Sequence, residues 1–263
     1  MTTPPDPFTA FTNDVDAAIR HATSHQPRSL QQRPGPSDLG CPCDRKLGYQ
    51  LAKVPRVHWP TAWYSYLGVA GHAQLASDLA RVQIPPGFGL TGPRFLVEQK
   101  NLVGQLAGDD IDGTSDLYDR LTGRVLDWKF VGNKSLKRYR VHGPPPQYKS
   151  QIHIYGKGWW MRGLPITDVV IAFLPRTQDL SARWYWHEPY DEQVALDAFT
   201  RAEEVNEVVQ VLGREALPLL STTAAWCESC PYFLPGSTDP RIGCPGDFSL
   251  PTPPSPILAT ASP

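Results

Sequence analysis

The chain has 263 residues and a mass of 29.2 kDa, which is enough to bury a substantial core in one elaborated domain or in two small ones. Hydrophobic residues make up 41% of the sequence, and a formal net charge of -1 excludes a chain that is basic throughout. No apolar run approaches the length of a membrane span, and the first residues, MTTPPDPFTA, lack a signal-peptide core. We therefore expect a globular cytoplasmic protein without membrane contact, in which any nucleic-acid site depends on a local charge asymmetry.

Residues 1–36 are rich in Pro, Gln and Ser and predict a flexible leader that contains one short amphipathic piece, DVDAAIRHA. The next segment, PSDLGCPCDRKLGYQLAKV, predicts a helix that Ser37 or Asp38 caps, with Cys41 and Cys43 near its beginning. At the other end of the chain, residues 249–263 are rich in Pro and Ser and predict a disordered tail.

The best helix of the first half is predicted over TAWYSYLGVAGHAQLASDLARVQ. Its predicted apolar face consists of Leu67, Ala70, Leu75, Leu79 and Val82. Gly68 and Gly71 weaken a helix by about 1 kcal/mol each relative to Ala, which indicates that the backbone packs closely at both positions. His72 follows them, as either a packing residue or, beside a pair of carboxylates, a metal ligand.

Three strands are predicted in PRFLVEQKNLVGQLAG, IDGTSDLY and RVLDWKF, and the polar segment DRLTGR forms the second turn. If Asp119 and Arg124 close a four-residue loop, Asp116 lies opposite Asp127 with Cβ atoms roughly 4.5–5.5 Å apart. Alternation along the last strand places Asp127 and Lys129 on one face with Val125, and an apolar set on the other: Leu126, Trp128 and Phe130.

Two carboxylates at this distance repel each other unless a divalent cation lies between them, and Mg²⁺ and Mn²⁺ prefer carboxylate oxygens. Lys129 can then neutralise charge on a phosphate or orient a water molecule. Asp116, Asp127 and Lys129 therefore predict a metal-dependent phosphodiesterase site. The alternative interpretation of such a D-x-K triplet is the solvated face of an edge strand.

The charge pattern changes after Asp127. Eight Lys or Arg residues occur from Lys129 to Arg162, and no Asp or Glu occurs between Asp127 and Asp168. Tyr139, His142 and Tyr148 are interleaved with them. This pattern predicts a phosphate-binding surface, although a basic run can also be only a solvated face. The residues predicted to contact DNA are Lys134, Lys137, Arg138, Arg140, Lys149 and Lys157.

The second half predicts a helix that starts after a proline block and carries Gln151 and Tyr155 four residues apart, so both can contact one ligand. DVVIAFLPR then predicts a buried strand, ARWYWHEPY an edge strand, and DEQVALDAFTRAEEVNEVVQVLG a long amphipathic helix. This order of elements predicts an α/β fold with a mixed central sheet that helices flank on both faces.

The five cysteines are an odd number and lie near the two ends of the chain, which favours metal ligation over disulfides. Cys227 and Cys230 form a C-x2-C pair and Cys244 follows, so a fourth ligand must come from Cys41 or Cys43. Such a centre would join the two ends of the chain. The spacing fits zinc and a four-iron cluster equally, and unliganded thiols are the remaining alternative.

Four motifs occur in a fixed order between these cysteines: Gly68-x3-His72, IDGTSD ending at Asp116, LDWK, and QIHIY. Over residues 37–246 this set resembles the RecB-like branch of the PD-(D/E)XK nucleases, with their restriction-endonuclease-like sheet. The flanking cysteines resemble its iron–sulfur members, such as the CRISPR-adaptation exonucleases and the exonucleases of actinobacterial phages.

The resemblance implies a role for each motif residue. The implied ligands of Mg²⁺ or Mn²⁺ are His72, Asp116, Asp127 and the main-chain carbonyl of Trp128. Lys129 would position the attacking water, and Gln151 and Tyr155 would hold the DNA strand near the metal. The implied ligands of a [4Fe–4S] cluster are Cys43, Cys227, Cys230 and Cys244, with Cys41 as the alternative to Cys43.

Residues 37–248 are therefore predicted to form a DNA exonuclease domain that acts on ends or single strands, in recombination or DNA processing in a bacterial or phage-infected cytoplasm. The sequence has no G-x4-G-K-[ST] motor motif, so unwinding would need a helicase or recombination partner. Two alternatives have no catalysis: a DNA-end-binding accessory protein of the same fold, and a zinc-stabilised nucleic-acid-binding module.

Overall fold

A computed structural model describes residues 6–24, 33–57, 63–223 and 227–247. The predicted tail, residues 249–263, lies outside the described residues, as do parts of the predicted leader. The helices are α1 (Pro7–Ser24), α2 (Pro36–Leu39), α3 (Asp44–Leu51), α4 (Trp63–Leu79), α5 (Asn133–His142), α6 (Pro146–Met161) and α7 (Glu192–Leu212). The strands are β1 (Phe95–Leu106), β2 (Asp109–Asp119), β3 (Arg124–Val131), β4 (Asp168–Pro175) and β5 (Trp184–Pro189).

The five strands form one sheet in the order β1-β2-β3-β4-β5. β3 and β4 are parallel and are connected through α5 and α6, whereas the other neighbours are antiparallel. Alternate residues of β4 face opposite sides: Ile171 packs with α6, and Leu174 packs in the cluster that α4 covers. The predicted α/β fold with a mixed sheet and helices on both faces is therefore confirmed.

Helix α4 differs from its prediction. Leu75 and Leu79 pack on the sheet as predicted, but the other members of the predicted apolar face, Leu67, Ala70 and Val82, are exposed. Gly71 does pack closely, because a Cβ there would lie 2.4 Å from Cζ of Phe130, whereas a Cβ at Gly68 would meet nothing within 4 Å. The first half of α4 therefore extends past its support on the sheet.

Three other parts of the chain also differ from what the sequence analysis predicted. The amphipathic piece of the leader lies within the 18-residue helix α1, and α5 is a helix that the sequence analysis did not assign. The single helix predicted around Cys41 and Cys43 is divided into α2 and α3, because the chain turns between Gly40 and Cys43. Ser37 and Asp38 consequently lie inside α2, and Cys43 occupies the N-cap position of α3.

None of the helices in the described part of the chain combines the length and the apolar composition needed to cross a bilayer.

Candidate functional site

The turn between β2 and β3 sets the register of the hairpin. Asp119 pairs with Arg124, as predicted, and the ladder continues to Leu117 opposite Leu126, so Asp116 comes level with Asp127. The Asp119 carboxylate is held by Arg94, whose Nε and Nη2 donate to it at 3.0 and 2.8 Å. This bidentate contact and the Leu121 N–H at 3.1 Å fix the turn.

Asp116 is buried, with 5% of its surface exposed, and both of its carboxylate oxygens have partners. The main-chain N–H of Trp128 donates to Oδ2 at 2.8 Å, and Nδ1 of His72 lies 3.2 Å from Oδ1. Burial, and then the negative charge of Asp127, raise the pKa of Asp116 to about 6, against the opposing effect of His72 and Lys129. Asp116 is therefore an anion at neutral pH that is held in a protein interior.

His72 projects from α4 towards this carboxylate. Its ring centroid lies 6.1 Å from that of Trp128 and 5.9 Å from that of Phe130, so aromatic rings of β3 support it. Burial opposes a positive charge on the imidazole, but the Asp116 and Glu98 carboxylates outweigh it and raise the pKa of His72 to about 9. At neutral pH the side chain is therefore a cation paired with Asp116.

Glu98 is the site residue that the sequence analysis missed. It lies between two ladder pairs of β1 and β2, Val97 with Leu117 and Gln99 with Ser115, and is thus level with Asp116. Its φ of 48° is in the left-handed region, which costs a residue with a Cβ about 1–2 kcal/mol. Oε1 of Glu98 lies 3.8 Å from Nδ1 of His72. The only available signal was one acidic residue that interrupts the apolar start of β1.

Within the described ranges, the group of three or more potential metal ligands whose donor atoms all lie within 4.8 Å consists of His72, Glu98 and Asp116. One nitrogen and two carboxylates suit a divalent cation. Asp127, which the sequence analysis placed in the metal site, lies outside this group, although its charge raises the pKa values of both Asp116 and His72. The predicted role of the Trp128 carbonyl stays a prediction.

Asp127, Lys129, Gln151 and Tyr155 form one chain of polar contacts. The Lys129 ammonium donates to Oδ1 of Asp127 at 3.1 Å and to Oε1 of Gln151 at 3.0 Å. Nε2 of Gln151 in turn donates to the Tyr155 hydroxyl at 2.9 Å, which is the contact that their four-residue spacing in α6 allows. The ammonium also lies 4.9 Å from the centre of the Tyr148 ring.

Oδ2 of Asp127 is a buried oxygen without a well-directed donor. The Lys129 ammonium lies only 2.8 Å from it, but its hydrogen bond is directed to Oδ1, so the short contact is electrostatic. Because Asp127 is 2% exposed, this oxygen retains an acceptor position that faces no solvent.

The predicted DNA-contacting residues divide into two sets. Helix α5 begins two residues after β3 and exposes Lys134, Lys137, Arg138 and Arg140, although Arg140 also donates to the Ala182 and Arg183 carbonyls. On α6, Lys149 lies 3.4 Å from Glu188 and 4.5 Å from the Trp186 ring, while Lys157 contacts Met161. The exposed positive charge is thus concentrated on α5.

The cysteines lie where the two ends of the chain meet. The Tyr49 and Tyr232 rings stack at 4.8 Å, and Val57 N–H donates to the Pro231 carbonyl at 2.9 Å. Burial raises the pKa of Cys227 and raises that of Cys230 to about 12, and Cys43 and Cys244 are near enough to add to both increases. Among the described residues, no three cysteine sulfurs all lie within 4.8 Å of one another, whereas the donor atoms of His72, Glu98 and Asp116 do.

Replacing Glu98 by Gln is expected to weaken Mn²⁺ binding at least about tenfold, because a carboxylate in the donor group becomes a neutral amide. Asp112→Asn is the matched control, since Asp112 is a carboxylate of the same sheet that pairs with Lys100 at 2.9 Å, outside the donor group. Isothermal titration calorimetry with Mn²⁺ measures both. Equal affinities for Glu98→Gln and wild type would exclude Glu98 as a ligand.

No protein-family model matches the chain, and no curated protein matches it significantly. Among solved structures, the crystal structure of SSO0001 is 19% identical, with a TM-score of 0.45 over 85% of this chain and 94% of its own. LHK-Exo, an alkaline exonuclease from Laribacter hongkongensis, is 10% identical, with a TM-score of 0.46 over 77% of this chain and 99% of its own. LHK-Exo in complex with dAMP is also 10% identical, with a TM-score of 0.45 over 72% and 95% of the two chains.

Proposed function

We propose that the protein is a Mg²⁺- or Mn²⁺-dependent DNA exonuclease of the RecB-like PD-(D/E)XK type. The observation that carries the proposal is the position of a half-buried ammonium group, on Lys129, beside Asp127 and one residue from the backbone N–H that binds Asp116. Two carboxylates and an imidazole beside a fixed cation suit the two needs of phosphodiester hydrolysis, a metal-activated water and neutralised charge.

His72, Glu98 and Asp116 would hold the divalent cation, and Asp127 would contribute a further carboxylate oxygen, as the sequence motif implies. The bound ion would lower the pKa of a water molecule and polarise the scissile phosphate. Lys129 would stabilise negative charge that develops on the phosphate, and Gln151 would orient the ammonium, with Tyr155 holding the Gln151 amide in turn. The four sequence motifs occur in an order that resembles that of the RecB-like nucleases, and this resemblance favours an exonuclease over other phosphodiesterases.

The decisive experiment is digestion of end-labelled linear DNA, single- and double-stranded, with Mg²⁺, Mn²⁺ or EDTA. Wild type is expected to release nucleotides from ends only with a divalent cation, and Asp116→Ala is expected to release none. Binding of DNA by wild type without digestion under any of these conditions would support the alternative of a catalytically silent DNA-end-binding protein. The same assay with a helicase present would test the proposed need for a partner.

The surface of α5 is proposed to bind the DNA backbone. Lys134→Gln and Lys137→Gln are each expected to weaken DNA binding uniformly across sequences and to reduce the slope of log affinity against log salt by about 0.7–0.9. Lys53→Gln is the control, because Lys53 is an exposed lysine that follows α3 and is not part of the proposed surface. Fluorescence anisotropy between about 50 and 200 mM salt gives the slopes. An unchanged slope in both α5 variants would remove this helix from the interface.

We further propose that Cys43, Cys227, Cys230 and Cys244 hold a [4Fe–4S] cluster, with Zn²⁺ as the alternative. The supporting observation is that Cys43 and Cys244 both lie near enough to Cys227 and Cys230 to add to the raised pKa of each thiol. A brown protein that absorbs near 400 nm would favour the cluster, and a colourless one with stoichiometric zinc after anaerobic preparation would favour zinc. Cys43→Ser should lose the metal and Cys41→Ser should keep it.

A further inference from the structure

The first two turns of α4 carry an exposed apolar surface that the proposed catalytic site does not use. Trp63, Tyr64, Leu67 and Val69 are 44%, 65%, 41% and 46% exposed. Exposed apolar and aromatic side chains grouped on one element commonly mark an interaction site. The same helix carries His72 two turns later, so this surface and the proposed metal site belong to one element.

The aromatic rings of this surface are arranged as flat platforms. Trp63 stacks on Tyr66 with ring centroids 5.9 Å apart and planes 17° apart. The Arg176 guanidinium lies 4.0 Å from the centre of the Tyr64 ring. Arg176 is fixed at the end of β4, where its N–H donates to the Val131 carbonyl at 3.0 Å. The Tyr64 ring therefore has a cation over one of its faces, in a defined position.

Arg176 also connects this surface to the basic helix. An ideal Cβ at Gly132, the N-cap of α5, would lie 3.3 Å from Nη2 of Arg176, so the guanidinium is next to the start of α5. Lys134 lies exposed in the first turn of that helix. Positive charge thus borders the aromatic surface on the side of the proposed DNA-backbone contacts.

A groove of about 290 Å³ lies further along α4, on the side of the helix that faces the sheet. Leu75, Phe130 and Leu174 give it apolar lining, Gln74 and Gln178 add polar side chains, and Pro175, the residue before Arg176, also lines it. The Phe130 ring is the one whose centroid lies 5.9 Å from that of His72, so the groove and the proposed metal site share this ring as a neighbour. Tyr64 and His72 are eight residues apart, about 12 Å along the helix axis, a span that a few nucleotides of an unpaired strand can cover.

We propose that the surface formed by Trp63, Tyr64 and Arg176, together with the groove at Phe130, binds the unpaired bases of a single DNA strand by stacking and leads that strand to the metal site. Flat exposed rings bordered by guanidinium and ammonium groups match the two faces of a single strand, its bases and its phosphates. A purely hydrophobic protein partner would not use the bordering cations. The proposal rests on the proposed function and specifies its substrate as an unpaired strand.

The test is the binding of fluorescein-labelled (dT)12 and of a blunt duplex to wild type and variants by fluorescence anisotropy in EDTA, which prevents cleavage. Trp63→Ala and Tyr64→Ala should each weaken (dT)12 binding about tenfold, and Tyr64→Phe should retain the wild-type affinity. Trp160→Ala is the matched control, because Trp160 is also an exposed aromatic, at 53%, but lies on α6 across the sheet. Duplex binding should change less than twofold in all variants.

Wild-type affinity for (dT)12 in both Trp63→Ala and Tyr64→Ala would overturn the proposal, and so would an equal loss for single strand and duplex. If these variants instead changed a self-associated wild type into a monomer without changing (dT)12 affinity, the surface would be an interface between copies and the proposal would be wrong. Failure of the nuclease proposal is a separate result, because it depends on digestion with Mn²⁺. A wild type that binds (dT)12 through Tyr64 but digests nothing would retain the stacking site.

Discussion

Replacing Lys129 by Met is expected to lower the maximal rate of DNA cleavage about 10²–10³-fold, the usual loss when one preorganised charge-stabilising group is removed from an active site. Methionine preserves most of the apolar stem and removes the ammonium group, with its charge and its hydrogen-bond donors. The ammonium group that is lost lies 2.8 Å from Asp127 and 3.0 Å from Gln151, and the side chain is 16% exposed. Its loss therefore removes a positive charge and a hydrogen-bond donor from both partners.

This change also has a cost in stability, because Asp127 stays buried after its cation is removed. Breaking a buried pair from one side usually costs about 3–5 kcal/mol, so the unfolding free energy of Lys129→Met must be measured alongside its activity. The double variant Lys129→Met/Asp127→Asn removes the unpaired charge and should recover part of the stability without recovering cleavage. That difference separates a catalytic loss from a folding loss.

The measurement is single-turnover digestion of end-labelled DNA at saturating enzyme with Mn²⁺, followed at a temperature where the variant is folded. Lys100→Met is the control, because Lys100 is an exposed ammonium of the same sheet that pairs with Asp112. The control should cleave at the wild-type rate. A Lys129→Met enzyme that cleaves as fast as the control would remove Lys129 from the catalytic step.

The contacts that the sequence predicted well are those that local geometry determines. The pairing of Asp119 with Arg124 follows from the length of one turn, and this pairing brings Asp116 level with Asp127 without information from the rest of the fold. Gln151 and Tyr155 meet because a helix brings residues four apart together. Each of these contacts depends only on a short stretch of sequence and on the regular geometry of a hairpin or a helix.

What the sequence did not predict depends on backbone conformation and on where an element ends relative to its neighbours. Glu98 enters the donor group through a positive φ, and nothing in the residues around it requires one. Leu67 belongs to the helical apolar period, but the sheet beneath α4 does not extend to it. The period of a helix shows which residues share a face, whereas the neighbouring element decides how much of that face is buried.

The affinity of the site for Mn²⁺ is expected to rise about tenfold per pH unit between pH 7 and 9 and to become constant above pH 9. The pKa of His72 is raised to about 9, so below that pH an entering cation must displace a proton from the imidazole before it can bind there. One proton released per ion gives the tenfold slope. Below pH 6, where Asp116 also becomes protonated, a second proton must leave and the slope should steepen.

Calorimetric titration with Mn²⁺ from pH 5.5 to 9.5, repeated in buffers of different ionisation enthalpy, gives both the affinity and the number of protons released. His72→Asn should bind the ion more weakly at pH 9 and should lose the dependence between pH 7 and 9, because no imidazole remains to be deprotonated. Asp112→Asn should keep the wild-type profile. A wild-type affinity that does not change from pH 7 to 9 would mean that the ion does not bind His72. Since the carboxylates that raise this pKa are the proposed co-ligands, the same charges that stabilise the proton at neutral pH would stabilise the metal in its place.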